Sequence, residues 1–185
     1  MVHVIRAALM GDGGPVGEAH AEAWRVGYAE LFPPEVLAAA VDLRRRMWNG
    51  LIGDPHLEGT VLVSEQEGQV VGFIHFGPAA TNGQVGEVYG FYVHPSFWGG
   101  GSAQALMDEA VGSMSRSFPS AILWTHIGAA RARRFYAKSS WSETGNQRQE
   151  TLWDGLVFPA VEYERTLAPD EIAPRLPSMP PEDLG

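Results

Sequence analysis

The chain has 185 residues, 45% of them apolar, which is enough to bury one substantial core and too few for two ordinary domains. It contains no cysteine, which excludes a disulfide framework, a Cys-rich metal site and a thiol nucleophile. Thirteen Lys and Arg against 22 Asp and Glu give a net charge of -9, which argues against nucleic acid as a partner and fits simple solubility first and a cationic small substrate second. The N-terminal apolar stretch is short and interrupted by His3 and Arg6, unlike a signal peptide, and no apolar run approaches the roughly 18 residues of a membrane span. The expectation is a soluble, cytoplasmic protein that does not use a membrane.

Residues 3–9 read as an opening strand, followed through a Gly-rich turn by a helix with Val16, Ala19, Ala23 and Trp24 on one face. Pro33 and Pro34 interrupt it, and Pro34 suits the first turn of a second helix. That helix places Val36, Leu37, Ala40, Met47, Trp48 and Leu51 at helical spacing, with Arg44, Arg45 and Arg46 expected on a solvated face. Segments 61–64 and 70–76 are β-rich around a Glu67-Gly68 turn, and Asn82-Gly83 is the expected turn into a third strand over 84–93. A glycine cluster follows, then a helix marked by Ala103, Leu106, Met107, Ala110, Val111 and Met114. A strand at 121–126, a helix at 129–138 and two β-like runs at 141–147 and 156–165 complete the order. Runs of strands and helices in this order call for a mixed α+β sheet with helices on both faces. From Ala168 onward, Pro169, Pro174, Pro177, Pro180 and Pro181 rule out a continuous helix or central strand. The division expected is a domain over 1–167 and a Pro-rich acidic tail over 168–185, mobile or draped on the surface.

The most informative segment is the strand, glycine turn and helix around residues 87–107. Such a turn leaves backbone N–H groups unpaired beside the positive end of a helix dipole, where a phosphate or pyrophosphate is stabilised. By itself a Gly-rich turn before a helix also fits a plain flexible connection. A nucleotide-hydrolase loop would need Gly-Lys-Ser/Thr, and no lysine lies here.

The run Val93-His94-Pro95-Ser96-Phe97 followed by Trp98-Gly99-Gly100-Gly101-Ser102-Ala103 resembles the acyl-CoA-binding motif of the GNAT superfamily of N-acetyltransferases. In that motif Val-x-Pro-x-aromatic leads into Arg/Gln-x-x-Gly-x-Gly/Ala. Trp98 stands where Arg or Gln is usual. Downstream, Ala132, Phe135 and Tyr136 fall in register with the family's Asn-x-x-Ala-x-x-Phe-Tyr helix, Ala129 replaces its asparagine, and Ser140-Trp141 replaces the usual Gly-Phe. The resemblance implies a GNAT-like fold, a mostly antiparallel sheet splayed at the cofactor site, with acetyl-CoA as cosubstrate. It implies cofactor contacts from Phe91, Tyr92 and Val93 on the splayed strand, from Trp98, Gly99, Gly100, Gly101, Ser102 and Ala103 in the turn, and from Ala129 at the later helix; Arg131, with Arg133, Arg134 and Lys138, could meet the CoA phosphates or equally form a solvated helix face. Gly90 would allow a bulge beside them, or close packing.

Moving acetyl from a thioester to an amine requires a neutral amine, stabilisation of the developing oxyanion and a proton for the departing thiolate. The resemblance assigns the last role to Tyr136, which could otherwise be a packed ring beside Phe135. Glu87 and His126 are the candidates for the base, with water as a third and His75 as a further one. Strand alternation puts Glu87 on one face with Tyr89, Phe91 and Val93 unless a bulge shifts the phase. Trp24, Tyr28, Phe32, Trp153 and Phe158 are expected around the acceptor, though the same aromatics suit a core. No histidine spacing matches a metal site. The expected partner is a small-molecule amine, with a homodimer allowed. Acetylation of a protein N-terminus or lysine, and a CoA-binding module without turnover, stand as rivals.

Overall fold

The computed structural model describes residues 3–152 and 155–167. Trp153 and the proline-rich stretch from Ala168, both singled out in the sequence, lie outside the described residues.

The described residues form one seven-stranded sheet in the order β1-β2-β3-β4-β5-β7-β6. Its strands are β1 (Val4–Ala7), β2 (Thr60–Gln66), β3 (Gln69–Ala79), β4 (Asn82–Val93), β5 (Ser120–His126), β6 (Ser142–Thr151) and β7 (Val157–Thr166). Helices α1 (Gly13–Gly27) and α2 (Pro34–Leu51) cover one face, while α3 (Ser102–Ser115) and α4 (Ala130–Lys138) cover the other. The alternation of β2 and β3 makes this sandwich: Leu62 and Ile74 pack with Leu106 and Met107 of α3, while Val61, Val63 and Phe73 pack with Val16 and Trp48. Leu106 and Met107 are fully buried, each contributing roughly 1.5–3 kcal/mol of transfer free energy.

Three expectations are corrected. Arg44 is not on a solvated face: it is 1% exposed, its guanidinium lies 3.4 Å from the Trp24 ring centroid, and Nη1 donates to the Ala40 carbonyl at 2.8 Å. Helical periodicity places Arg44 beside Ala40, Val41 and Trp48 on the inward stripe, and the aromatic ring makes burial of the charge tolerable. Arg45 and Arg46 do face outward and pair with Glu18, Glu22 and Asp42. The turn between β3 and β4 falls at residues 80–81, and Asn82-Gly83 already belongs to β4, where the Asn82 side chain accepts from Gln84 N–H at 3.0 Å.

The third correction concerns phase. His75 pairs with Gly90 but Phe76 pairs with Val88, so Tyr89 is an extra residue in β4, a bulge. Beyond it the alternation reverses, so Phe91 and Val93 share a face with Val88, while Glu87 lies on the opposite face with Gly90 and Tyr92. Packing agrees, since Val88 and Val93 belong to the α3-side core and Tyr92 stacks on His20 of α1.

Candidate active site in the splayed sheet

β4 and β5 run parallel and pair only over Gly86–Val88 and Ala121–Leu123. Beyond that short ladder they diverge, and a cavity of about 460 Å³ runs through the gap. It reaches from Trp24 and Tyr28 of α1 on one face to Phe135 and Tyr136 of α4 on the other.

Backbone parity states which groups of β4 face this gap. His94 N–H donates to Val71 O at 2.8 Å, so in the antiparallel ladder His94, Tyr92 and Gly90 direct their amides and carbonyls toward β3. Phe91 and Val93 direct theirs the other way, into the cavity. Tyr92 therefore has its backbone engaged with Phe73 and meets the cavity by its side. Trp98 folds back and its Nε1–H donates to the Val93 carbonyl at 2.7 Å, leaving Phe91 N–H, Phe91 C=O and Val93 N–H toward the gap. This bond gives the indole at position 98 a definite structural task, closing one carbonyl and fixing the start of the glycine turn.

The turn needs its glycines at particular points. Gly99 and Gly101 have φ of 82° and 98°, the left-handed region that L side chains rarely occupy. At Gly101, the N-cap of α3, a Cβ would point at His3 Nε2, 3.0 Å away, and away from the cavity. Ala105 N–H bonds Gly101 O and Gly100 N–H bonds Phe97 O, leaving, among the described residues, the amides of residues 101–104 without a backbone partner at the helix start. Trp98, Gly99, Gly101 and Ala103 line the cavity. Gly100 lies on the far side of the turn, and the Ser102 hydroxyl is buried against Gln66 Nε2 at 2.6 Å and His3 Nδ1 at 3.2 Å, so Ser102 can offer the cavity only its amide.

Across the gap, Ala129 caps α4 without a side-chain hydrogen bond, leaving that helix start unshielded. Ala129 and Arg131 line the cavity, and the Arg131 guanidinium sits 4.0 Å from the Trp98 ring centroid. A cation from α4 thus stands over the glycine turn, which carries none of its own. Arg133, two residues further along α4, is tied instead to Tyr163, Glu143 and the Ile127 carbonyl.

Tyr136 is 7% exposed, packed on Phe91, Phe135 and Tyr163, and lines the cavity; its hydroxyl has no hydrogen-bond partner among the described residues. Burial, reinforced by the Tyr92 and Tyr163 phenols, raises its pKa far above neutrality, so the proton is present at any physiological pH. Glu87 also lines the cavity, and its pKa is raised by burial, held back by Arg148 and raised further by Glu150 and Glu162. On the α1 side, Tyr28 is partly buried, stacked on Trp24, and its pKa is pushed well up by burial, with the Tyr92 phenol adding to the shift.

His126 lines the cavity from the end of β5. Its Nδ1 accepts from Gly128 N–H at 2.8 Å, and an amide can only donate, so the neutral ring carries its proton on Nε2. Burial lowers its pKa, and rings of Tyr28, Phe32 and Phe158 surround it. In this state it is a hydrogen-bond donor. His75 lies outside the cavity, with Nε2–H donating to Glu58 O at 2.7 Å.

Trp24, Tyr28 and Phe158 line the cavity as expected of acceptor-side aromatics, while Phe32 supports them from behind by stacking on Trp24. Sequence reasoning missed Trp124, Arg148 and Glu150, which also line it. Arg148 and Glu150 are two apart on one strand and so share a face, but only the sheet order, with β6 beyond β7, brings that face to the cavity.

Residues 19–141 match the Acetyltransferase (GNAT) family. The chain belongs to that family. An uncharacterized N-acetyltransferase of Bacillus subtilis, YuaI, is 26% identical over 123 residues, 65% of this chain and 69% of that protein. Two solved structures share the fold of this GNAT acetyltransferase. The PaiA N-acetyltransferase of Thermoplasma acidophilum, in complex with coenzyme A, has a TM-score of 0.70 at 18% identity and covers 90% of this chain and 99% of its own. The ribosomal-protein-S18-alanine N-acetyltransferase of Escherichia coli has a TM-score of 0.62 at 15% identity, covering 100% and 99%. Among the described residues no helix of this acetyltransferase is long and apolar enough to cross a membrane.

Proposed function

We propose that this GNAT acetyltransferase moves acetyl from acetyl-CoA to the primary amine of a small molecule, the transfer taking place where β4 and β5 part. The observation that carries the reading is the cavity through the sheet, with unpaired backbone groups of Phe91 and Val93 along it and the start of α3 at its end. These residues fit coenzyme A in chemistry. Amides of the 99–104 turn other than Gly100, whose N–H is taken by Phe97 O, suit a pyrophosphate, with Arg131 above them. Phe91 C=O and Val93 N–H suit the amide-rich pantetheine arm, and Phe91 N–H suits the thioester carbonyl, where negative charge develops.

The roles of the side chains follow from their protonation. Glu87, with its raised pKa, takes a proton from the incoming ammonium, directly or through water, so that the amine attacks with a free lone pair. Tyr136, protonated at physiological pH, gives its proton to the departing sulfur as the C–S bond breaks and regains one from the nitrogen, which carries a surplus proton after attack, directly or through water. His126 holds a neutral Nε2–H toward the site and supplies a hydrogen bond rather than a base. The aromatic α1 side, with Trp24 and Tyr28, excludes water from the amine once the cavity is filled.

Thermal unfolding followed with increasing acetyl-CoA, then release of free thiol across an amine panel, tests the whole reading. Stabilisation that grows as the logarithm of cofactor concentration is expected. An unfolding temperature indifferent to millimolar acetyl-CoA would refute it.

A further inference from the structure

The charges at the acceptor end of the cavity are few and arranged with a purpose. Arg148 on β6 sits opposite Ala160 of β7, whose small side chain lets the guanidinium cross to β5, where it lies 4.0 Å from the Trp124 ring centroid. From there it pairs with Glu150, its Nε donating to Oε2 at 2.6 Å. Glu87 faces the same group and has no ion-pair partner of its own among the described residues. Among the side chains that line this end of the cavity, two carboxylates and one guanidinium leave one unbalanced negative charge. Arg131, also in the cavity wall, stands at the opposite end over Trp98. Glu162 shares the open face of β5 and β7 and its charge acts on Glu87 through space, but its carboxylate accepts from Thr144 and Asn146 and does not line the cavity.

Around that one charge the wall is aromatic, formed by Trp24, Tyr28, Trp124 and Phe158. We propose that the acceptor is a primary amine with one positive charge on an apolar body of aromatic size, and that Arg148 sets this preference by neutralising Glu150. The inference rests on the acetyl-transfer reading and narrows it. A diamine or polyamine would carry its second ammonium into an aromatic wall whose remaining carboxylate is already paired, losing hydration without a partner. An amino acid would press its carboxylate toward Glu87 and Glu150, where only an already paired guanidinium could receive it. Arg148 side-chain exposure is 39%, so its removal spares the core.

The test compares kcat/KM at saturating acetyl-CoA for 2-phenylethylamine, 1,5-diaminopentane, phenylalanine and a short lysine-containing peptide. 2-Phenylethylamine is expected to lead the others by roughly tenfold, the effect of one unpaired charge in a partly desolvated site. Arg148→Ala frees the Glu150 carboxylate and should raise the diamine relative to 2-phenylethylamine by roughly tenfold, while Arg148→Lys keeps the wild-type order. Preference of the wild type for the diamine, the amino acid or the peptide overturns the inference, as does an Arg148→Ala variant with an unchanged ratio; in both cases acetyl transfer stands. Absence of cofactor binding, or of thiol release with every amine, sinks the inference and the transfer reading together.

Discussion

Replacing Tyr136 with Phe removes one oxygen and leaves the ring in place. The ring is packed against Phe91, Phe135 and Tyr163, and the hydroxyl has no hydrogen-bond partner among the described residues, so no donor or acceptor in the protein is orphaned by its loss. Deleting an unpartnered buried hydroxyl is close to neutral for stability, within about 0.5 kcal/mol, or roughly 1–2 °C in Tm for a chain of this size. The effect on turnover is of another order. If the phenol protonates the leaving sulfur, losing it removes a general acid, about 10²-fold in kcat or roughly 2.7 kcal/mol of barrier. Acetyl-CoA affinity should change by less than about twofold, because the contacts assigned to the cofactor come from β4 and the glycine turn. The assay is steady-state thiol release, paired with cofactor titration and thermal unfolding of both proteins. Tyr136→Phe turning over at the wild-type rate, with the fold intact, would falsify the acid assignment. A Tm loss of several degrees would show instead that the hydroxyl is held by a group the geometry does not reveal.

Glu87→Gln should lower kcat at neutral pH and flatten the rise of rate with pH, a rise expected to pass through the raised Glu87 pKa and to show no base-side limb from Tyr136 near neutrality. Because the folded state holds the Glu87 proton more tightly than the unfolded chain, its contribution to stability falls as pH rises from the ordinary carboxylate range through the raised value. Glu87→Gln should remove that slope in a pH series of Tm values, and a slope kept intact would locate the shifted group elsewhere. Ser140, just after α4, has φ of 62°. Ser140→Gly relieves that left-handed strain and should raise stability by about 0.5–1 kcal/mol, read as a Tm increase of roughly 1–4 °C, whereas a fall would mean that the serine side chain itself holds the turn.

The periodicity of the segment from Ala103 to Met114 and the Val93-to-Ala103 turn were legible because their determinants are local. A helical stripe, a proline before a turn and glycines at left-handed φ are properties of neighbours in the chain. The position of Tyr136 was legible for a similar reason, since a short helix with a fixed register relative to its strand leaves little freedom. Ser140 shows the same logic from the other side, a residue strained where the family's usual glycine would relax.

What the order of residues could not disclose are the consequences of strands meeting. The Tyr89 bulge exists only because β3 and β4 pair with unequal counts, and it alone decides that Glu87 faces away from Phe91 and Val93. Arg44 entered the core because Trp24 of another helix offers its ring, a partner helical spacing cannot foresee. His126 became a donor through a single amide two residues on. Arg148 reached the cavity because β6 lies beyond β7 in the sheet. Local sequence thus determined which elements form and where the glycine turn opens α3. The tertiary structure decided which faces meet in the gap, and with them the shifted proton affinities of Glu87, His126 and Tyr136, because burial and charge pairing are set by neighbours distant in the chain.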